Sequence, residues 1–197
     1  MFTGIVECTA RIVAIENSGS NRIFWMESPI SDALKIDQSV AHNGVCLTVD
    51  ALAPGRHRVT AIEETLNVTA LGAKQVDHVL NLERSMRPGD RLDGHWVQGH
   101  VDTIGYCTQI DSRDGSWNIA FEHPISDQWI TVGKGSICVD GVSLTVVESR
   151  SDGFSVSIIP YTFEHTGFGV LKPGDAVNLE FDILGKYIAR LLENRRP

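Results

Sequence analysis

The sequence is poor in cysteine, in positive charge and in long apolar runs, and each shortage removes a class of function. Its four cysteines, Cys8, Cys46, Cys107 and Cys138, stand far apart with no CxxC among them. That argues against a zinc site or a disulfide framework and fits a reducing cytoplasm. Lys and Arg number 17 against 25 Asp and Glu, a formal charge of -8. Nucleic-acid binders usually carry a basic face, so a polyanion is not the expected main partner. No apolar run is long enough to cross a bilayer. The opening MFTGIVECTARIVAIE lacks a basic n-region and carries Glu7 and Arg11 early, so it does not read as a secretory signal. What is left is an ordinary globular mix, 42% hydrophobic and 21% charged over 197 residues, enough for one medium domain or two small ones.

The chain repeats itself. At a shift of 95 residues, Gly4, Val6 and Glu7 fall on Gly99, Val101 and Asp102, and Glu27, Pro29, Ile30, Ser31 and Asp32 fall on Glu122, Pro124, Ile125, Ser126 and Asp127. A two-residue insertion then moves the shift to 97. NGVCLTV (43–49) matches DGVSLTV (140–146), and Thr65, Thr69 and Gly72 match Thr162, Thr166 and Gly169. Asn81-Leu82-Glu83 matches Asn178-Leu179-Glu180. One order and one register with a single gap mark a duplication, with halves at roughly 1–90 and 96–182 and a connector at Arg91–His95.

Each half reads as β. Short Val, Ile and Thr runs alternate and are punctuated by Gly, Asn and Asp, which suggests a small barrel or sandwich. Short helices are expected at SPISDALK and HPISDQWI, where Pro and Ser/Asp make a start signal. The tail, DILGKYIARLLENRRP, carries Ile183, Leu184, Tyr187, Ile188, Leu191 and Leu192 at helical spacing, with Arg190, Arg195 and Arg196 suited to a helix C-terminus. Such a helix either caps its own barrel or packs on copies of itself.

Polar residues kept in both halves point to chemistry. Thr48/Thr145, Thr65/Thr162 and Gly4/Gly99 are not needed by a core. On a strand, Cys46 and Thr48 share a face, as do Ser143 and Thr145. Two equivalent pockets lined by hydroxyls and main-chain groups suit a flat heterocycle rich in donors and acceptors. The stretch DGHWVQGHVD adds His95 and His100. An odd separation puts them on opposite faces of a strand, so a shared metal is not expected. His100 replaces Ile5 of the first half, and Ser143 replaces Cys46. Two such breaks in symmetry suggest one site doing two different jobs, with His95 left as a structural residue of the connector.

These motifs resemble the riboflavin synthase family along the whole chain: MFTGIV, SVAHNGVCLTV, GHWVQGHVD, the stretch from Lys134 to DGVSLTV, the IPxT element at Ile159, and VNLEFDILGKYIARLL. The resemblance implies an all-β fold of two six-stranded Greek-key barrels in tandem, at 1–95 and 96–182, followed by an oligomerisation helix over 183–197. It implies a cytoplasmic homotrimer without metal or other cofactor, whose site lies between the N-terminal barrel of one chain and the C-terminal barrel of the next. The implied reaction, the last step of riboflavin biosynthesis, dismutates two 6,7-dimethyl-8-ribityllumazine molecules into riboflavin and 5-amino-6-(D-ribitylamino)uracil. Lumazine synthase, which makes the substrate, is the suggested protein partner.

Carried over by motif, Gly4, Ile5 and Val6 face the ligand of a C-terminal barrel. They do so with Ser143, Leu144, Thr145 and a strand at 157–162, which holds Ser157, Ile158, Ile159, Pro160, Tyr161 and Thr162. The N-terminal barrel ligand is met by Cys46, Leu47, Thr48, a strand at 60–65 (Thr60, Ala61, Ile62, Glu63, Glu64, Thr65), Gly99, His100 and Val101, and by Lys134 of another chain. His100, Ser143 and Thr145 are implied to handle protons, with Cys46, Ser39 and Asp182 in support. Tyr161 departs from the family, which more often has Glu or His there. Lumazine proteins share the fold and bind one lumazine without catalysis, but in them the second His of GHxxxGH and the first CLT degrade; this chain keeps both. A flavin reductase would need a Gly-rich phosphate loop, and no strand–GxGxxG–helix follows Leu82.

Overall fold

Turn chemistry and alternation build the same barrel twice. The computed structural model describes residues 1–193. The first barrel runs β1 (Cys8–Ser18), β2 (Asn21–Glu27), β3 (Ser39–His42), β4 (Val45–Ala53), β5 (Arg56–Ala61) and β6 (Val79–Arg84). The second runs β7 (Thr103–Arg113), β8 (Ser116–Glu122), β9 (Ser136–Val139), β10 (Val142–Arg150), β11 (Gly153–Ile158) and β12 (Ala176–Phe181). Each is a closed, antiparallel, six-stranded barrel. The first has the order β1-β2-β5-β4-β3-β6, and the second repeats the same neighbour relations. Closure leaves no sheet edge exposed.

The β3–β4 hairpin shows why the sequence folds this way. Asn43 and Gly44 both sit at positive φ, 47° and 78°, as do Asp140 and Gly141 in the β9–β10 hairpin, at 46° and 81°. A two-residue loop with left-handed backbone matches the strand twist. Past the turn, Val45, Leu47 and Val49 point into the barrel, while Cys46 and Thr48 point out. Val142, Leu144 and Val146 are likewise inside, with Ser143 and Thr145 outside. The first core gathers Ile12, Phe24, Val59, Leu80 and Leu82; the second gathers Phe121, Phe154, Val177, Leu179 and Phe181.

The barrels meet at these hairpins. A Cβ on Gly44 would lie 2.8 Å from the Gly141 nitrogen, and one on Gly141 would lie 2.7 Å from the Gly44 nitrogen, so only glycine permits the contact. Two asparagines bond across the seam. Asn81 donates from Nδ2 to the Asp140 carbonyl at 2.8 Å and accepts the Gly167 N–H at 2.8 Å. Asn178 donates to the Asn43 carbonyl at 2.8 Å and accepts the Ala70 N–H at 2.7 Å. Asp140 is half-buried at the seam, and desolvation there lifts its pKa to about 6.

Two local expectations are corrected. SPISDALK makes only a 3-10 turn at Ser31–Ala33, because the Ser31 hydroxyl is taken by His57 and Ser28 instead of capping a helix. HPISDQWI forms no helix: the Ser126 side chain accepts the Gln128 N–H and its carbonyl accepts the Trp129 N–H, closing a turn. The strands expected at 60–65 and 157–162 are also shorter. β5 ends at Ala61 and β11 at Ile158, and the chain then enters α1 (Glu63–Val68) and α2 (Pro160–His165). Proline at the first helical position of α2 has no N–H for a sheet. Each helix is closed by a threonine, Thr69 or Thr166, whose hydroxyl donates to the carbonyl four residues back, that of Thr65 or Thr162, at 2.7 Å. These bonds give Thr69 and Thr166 a structural reason to recur, whereas Thr65 and Thr162 contribute only their carbonyls.

α3 (Ile183–Glu193) follows the second barrel. It docks through buried Ala189 and through Lys186, which pairs with Asp102 at 2.6 Å. Leu184, Tyr187, Ile188, Leu191 and Leu192 stay 58–66% exposed, while Ile183 is half-buried. Arg195 and Arg196 lie outside the described residues.

Candidate functional site

The segment that begins each half crosses to the other barrel. Phe2 and Val97 pair antiparallel between the barrels, with Phe2 N–H donating to the Val97 carbonyl at 2.7 Å and Val97 N–H to the Phe2 carbonyl at 3.1 Å. From that crossing the chain diverges. Gly4 reaches β10, where the Ser143 N–H donates to its carbonyl at 2.7 Å, and Val6 packs on the second core. Gly99 reaches β4, where the Cys46 N–H donates to its carbonyl at 2.8 Å, and Val101 packs on the first core. A Cβ on Gly4 would sit 2.6 Å from Ser143 Cβ, and one on Gly99 would sit 2.6 Å from Cys46 Cβ. Both glycines also have positive φ, 76° and 79°. Glycine is therefore kept at these positions by the close approach of two backbones.

Two buried carboxylates hold the crossing segments. Glu83 accepts the Thr3 N–H at 2.7 Å, the Thr3 hydroxyl at 2.8 Å and the Gly4 N–H at 2.9 Å. Glu180 accepts the N–H groups of Gln98, Gly99 and His100 at 2.6, 2.9 and 2.9 Å. Burial raises both pKa values against these bonds, Glu180 to about 7. The sequence signal was present: a glutamate kept in both copies, out of step with the inward Leu80, Leu82 and Leu179. Only its role was unread.

The segment and the strand together form a concavity at the second barrel. A cavity of about 550 Å³ is lined by Gly4, Ile5, Val6, Ser143, Tyr161 and Thr162, among others. The residues expected to face one ligand of a C-terminal barrel thus come together within one chain. Ser157 and Ile159 are exposed beside them, whereas Leu144 and Ile158 send their side chains into the core. Tyr161 is 68% exposed and stacks on His165, with ring centroids 4.1 Å apart.

The first barrel places its counterparts in the same way. Cys46 and Thr48 are on the outer face, Ser39 pairs with Thr48 across β3–β4, and His100 is exposed next to Gly99. Ile62, Glu63 and Glu64 are exposed at the start of α1, with Thr65 half-buried. Leu47 and Ala61 are core side chains, so only their main chain is available. The Thr60 hydroxyl is engaged by Asp50 at 2.6 Å. Lys134 is exposed in the turn before β9 of the other barrel, and Asp182 accepts the Leu184 N–H at the start of α3. His100 follows Gly99 at the first barrel's β4, and Ser143 meets Gly4 at the second barrel's β10.

His95 lies in the connector, as expected, and is buried there. It is 8% exposed, its N–H donates to the Thr3 carbonyl at 3.1 Å, and its Nδ1 lies 2.6 Å from Ser143 Oγ. The imidazole thus touches the Ser143 hydroxyl directly. Burial lowers its pKa, and the nearby Asp182 carboxylate pulls the other way.

The chain is thus a duplicated β-barrel protein in which each barrel is completed by a segment from the other half. The family described as the Lumazine binding domain matches residues 3–85 and again 98–182. Riboflavin synthase from Mycobacterium tuberculosis is 43% identical over 204 residues, covering 98% of this chain and 99% of that protein. Riboflavin synthase from Actinobacillus pleuropneumoniae is 38% identical over 194 residues, covering 98% and 90%. The chain belongs to the riboflavin synthase family of duplicated lumazine-binding proteins. The solved structure of LumP complexed with 6,7-dimethyl-8-(1'-D-ribityl) lumazine has the same fold, with a TM-score of 0.82 at 21% identity over 91% of this chain and 98% of that one. LumP complexed with riboflavin gives 0.83 at 22% identity, covering 92% and 99%.

Proposed function

We propose that this chain catalyses the dismutation of two 6,7-dimethyl-8-ribityllumazine molecules, moving a four-carbon unit from one to the other. The observation that carries the reading is the exchange of the two crossing segments, which builds two equivalent ligand faces from one duplicated sequence. Two copies of one reactant need two similar pockets that differ where their roles differ. The lumazine ring is electron-poor and its C7 methyl is acidic, so the main demand is to hold two rings face to face. Proximity and orientation of that kind contribute about 7–11 kcal/mol at best. Proton transfer by a placed side chain adds roughly 100- to 10,000-fold.

Ser143, Thr145 and His100 handle protons in this reading, supported by Cys46, Ser39 and Asp182. Because His100 and Ser143 lie on different barrels, the complete site pairs the N-terminal barrel of one chain with the C-terminal barrel of its neighbour, and Lys134 reaches the first barrel's ligand from another chain. The exposed stripe on α3 supports a homotrimer, since each large apolar side chain left in water forfeits about 1.5–3 kcal/mol. The non-catalytic alternative is disfavoured because full-length identity to the riboflavin synthases, 38–43%, is well above the 21–22% to LumP. The test is to incubate the purified chain with the lumazine alone, with chelator present, and to follow riboflavin absorbance. Binding without conversion would refute the enzymatic reading.

A further inference from the structure

We propose that His95 is the positioning residue and proton acceptor behind Ser143, and that this pair makes the C-terminal pocket the one in which a ligand proton is taken up. The inference rests on the dismutation reading. Its geometric basis is how completely Ser143 is fixed. Its N–H is bound to the Gly4 carbonyl at 2.7 Å, and its Cβ is pressed by the Gly4 backbone on one side. On the other side is Gly94, where a Cβ would lie 2.9 Å from Ser143 Cβ and 3.0 Å from its Oγ, and would collide with the Thr3 carbonyl. Two glycines thus let two segments close on one serine. The side chain that follows the second glycine is the imidazole, 2.6 Å from the hydroxyl. The His95 main chain is itself anchored, its backbone N–H donating to the Thr3 carbonyl, to the segment that carries Gly4.

Chemistry follows from the partners. With Nδ1 accepting, the Ser143 O–H points at His95 and the oxygen lone pairs face the cavity. A proton leaving the ligand methyl goes to Ser143 Oγ while the hydroxyl's own proton passes to His95 Nδ1. The ligand becomes the carbanion and His95 the imidazolium, and the reverse transfer returns both later. Burial keeps the resting imidazole neutral and able to accept, and the Asp182 carboxylate favours it once charged. The first barrel lacks this arrangement. Cys46 occupies the equivalent position as a free thiol, and among the described residues no imidazole bonds its Sγ. The two barrel faces, built from matching strands, therefore differ in their capacity to take a proton.

Steady-state turnover of the lumazine from pH 5 to 9 decides the matter, using wild type, Ser143→Ala, His95→Asn and the double variant. Asparagine keeps an acceptor near the Nδ1 position but cannot take the proton. His95→Asn is expected to lower kcat by about 100-fold or more with KM within about threefold, and to remove the acid limb of the kcat profile. The double variant is expected to be no slower than the slower single. Wild-type kcat in His95→Asn, or losses that multiply, overturn the inference while leaving the reaction in place. A wild-type chain that makes no riboflavin overturns the dismutation reading and the inference with it. Should His95→Asn fail to bind riboflavin, the imidazole is followed by NMR in labelled wild type and Ser143→Ala. An unchanged His95 titration between the two overturns the pairing.

Discussion

Acid should weaken the first barrel through a pair of histidines that the second barrel does not have. His42 and His57 are fully buried, with Nε2 atoms 3.0 Å apart. His42 Nδ1 faces the Val40 carbonyl at 3.1 Å, which can only accept, so it must be protonated there. A neutral His42 then accepts at Nε2 from His57 Nε2–H. His57 in turn accepts at Nδ1 from the Ser31 hydroxyl at 2.8 Å, and Ser31 accepts from Ser28 at 2.9 Å. A proton added at His42 Nε2 would set N–H against N–H, and one added at His57 Nδ1 would force the Ser31 and Ser28 hydroxyls to reverse, so burial is the main cost of charging either ring. Burial, and for His42 also the neighbouring His57, lowers the pKa values to about 3 for His42 and about 4 for His57.

Both folded values lie below the ordinary 6.5, so the unfolded chain binds protons first. The stabilisation is complete above pH 6.5 and is lost as pH falls towards 4. Between pH 7.5 and 5 each ring forfeits about 2 kcal/mol, or about 4 for the pair. Glu180 and Asp140, raised to about 7 and about 6, act in the opposite direction over the same window, because the folded state binds their protons first. The wild-type profile is therefore a near balance, and a difference measurement is required. His42→Val with His57→Phe installs the second barrel's own residues, Val139 and Phe154, and leaves Ser31 its bond to Ser28. Urea unfolding at both pH values should show the double variant gaining about 4 kcal/mol on wild type as pH falls from 7.5 to 5. A difference that does not change with pH would refute the burial argument.

Three other outcomes are expected. Gly99→Ala combines positive φ with a Cβ 2.6 Å from Cys46, whereas Gly115→Ala has positive φ and open space; thermal or urea unfolding should show a loss of about 3 kcal/mol for the first and about 1 for the second. Asn178→Ala removes the bonds to Ala70 and Asn43, and should cost about 2–5 kcal/mol and separate the unfolding of the two barrels in calorimetry. Ending the chain after Asp182 removes the exposed apolar stripe and should lower both sedimenting mass and turnover; a monomer of full activity would mean that each chain holds a complete site.

The barrels were legible because their code is local and written twice. Asn-Gly and Asp-Gly announce the β3–β4 and β9–β10 turns, and VCLTV and VSLTV alternate into core and outer face as read. The helices at 63–68 and 160–165 were not legible, because Val-, Ile- and Thr-rich flanks hide a short helix that is closed by threonine side chains and not by periodicity. SPISDALK misled for a related reason: Ser31 has a helix-capping side chain, but a buried histidine from 26 residues away takes it.

The site was half legible, and His95 shows where the repeat argument fails. Comparing the halves finds positions that have a partner, so it singled out His100 against Ile5 and Ser143 against Cys46. His95 lies in the connector, outside the repeat, and symmetry says nothing about it. Yet the connector is where a duplicated protein can differentiate its two copies at least cost. A change inside a barrel must satisfy a packed core, whereas a residue in the crossing segment meets one pocket and leaves the other alone. Gly94-His95 and Gly99-His100 illustrate this. Each glycine lets its segment press on a small side chain, Ser143 in one case and Cys46 in the other, but the histidine after the first is buried against that side chain and the histidine after the second stays exposed. The two pockets are made alike by their strands and made different by the segment between them.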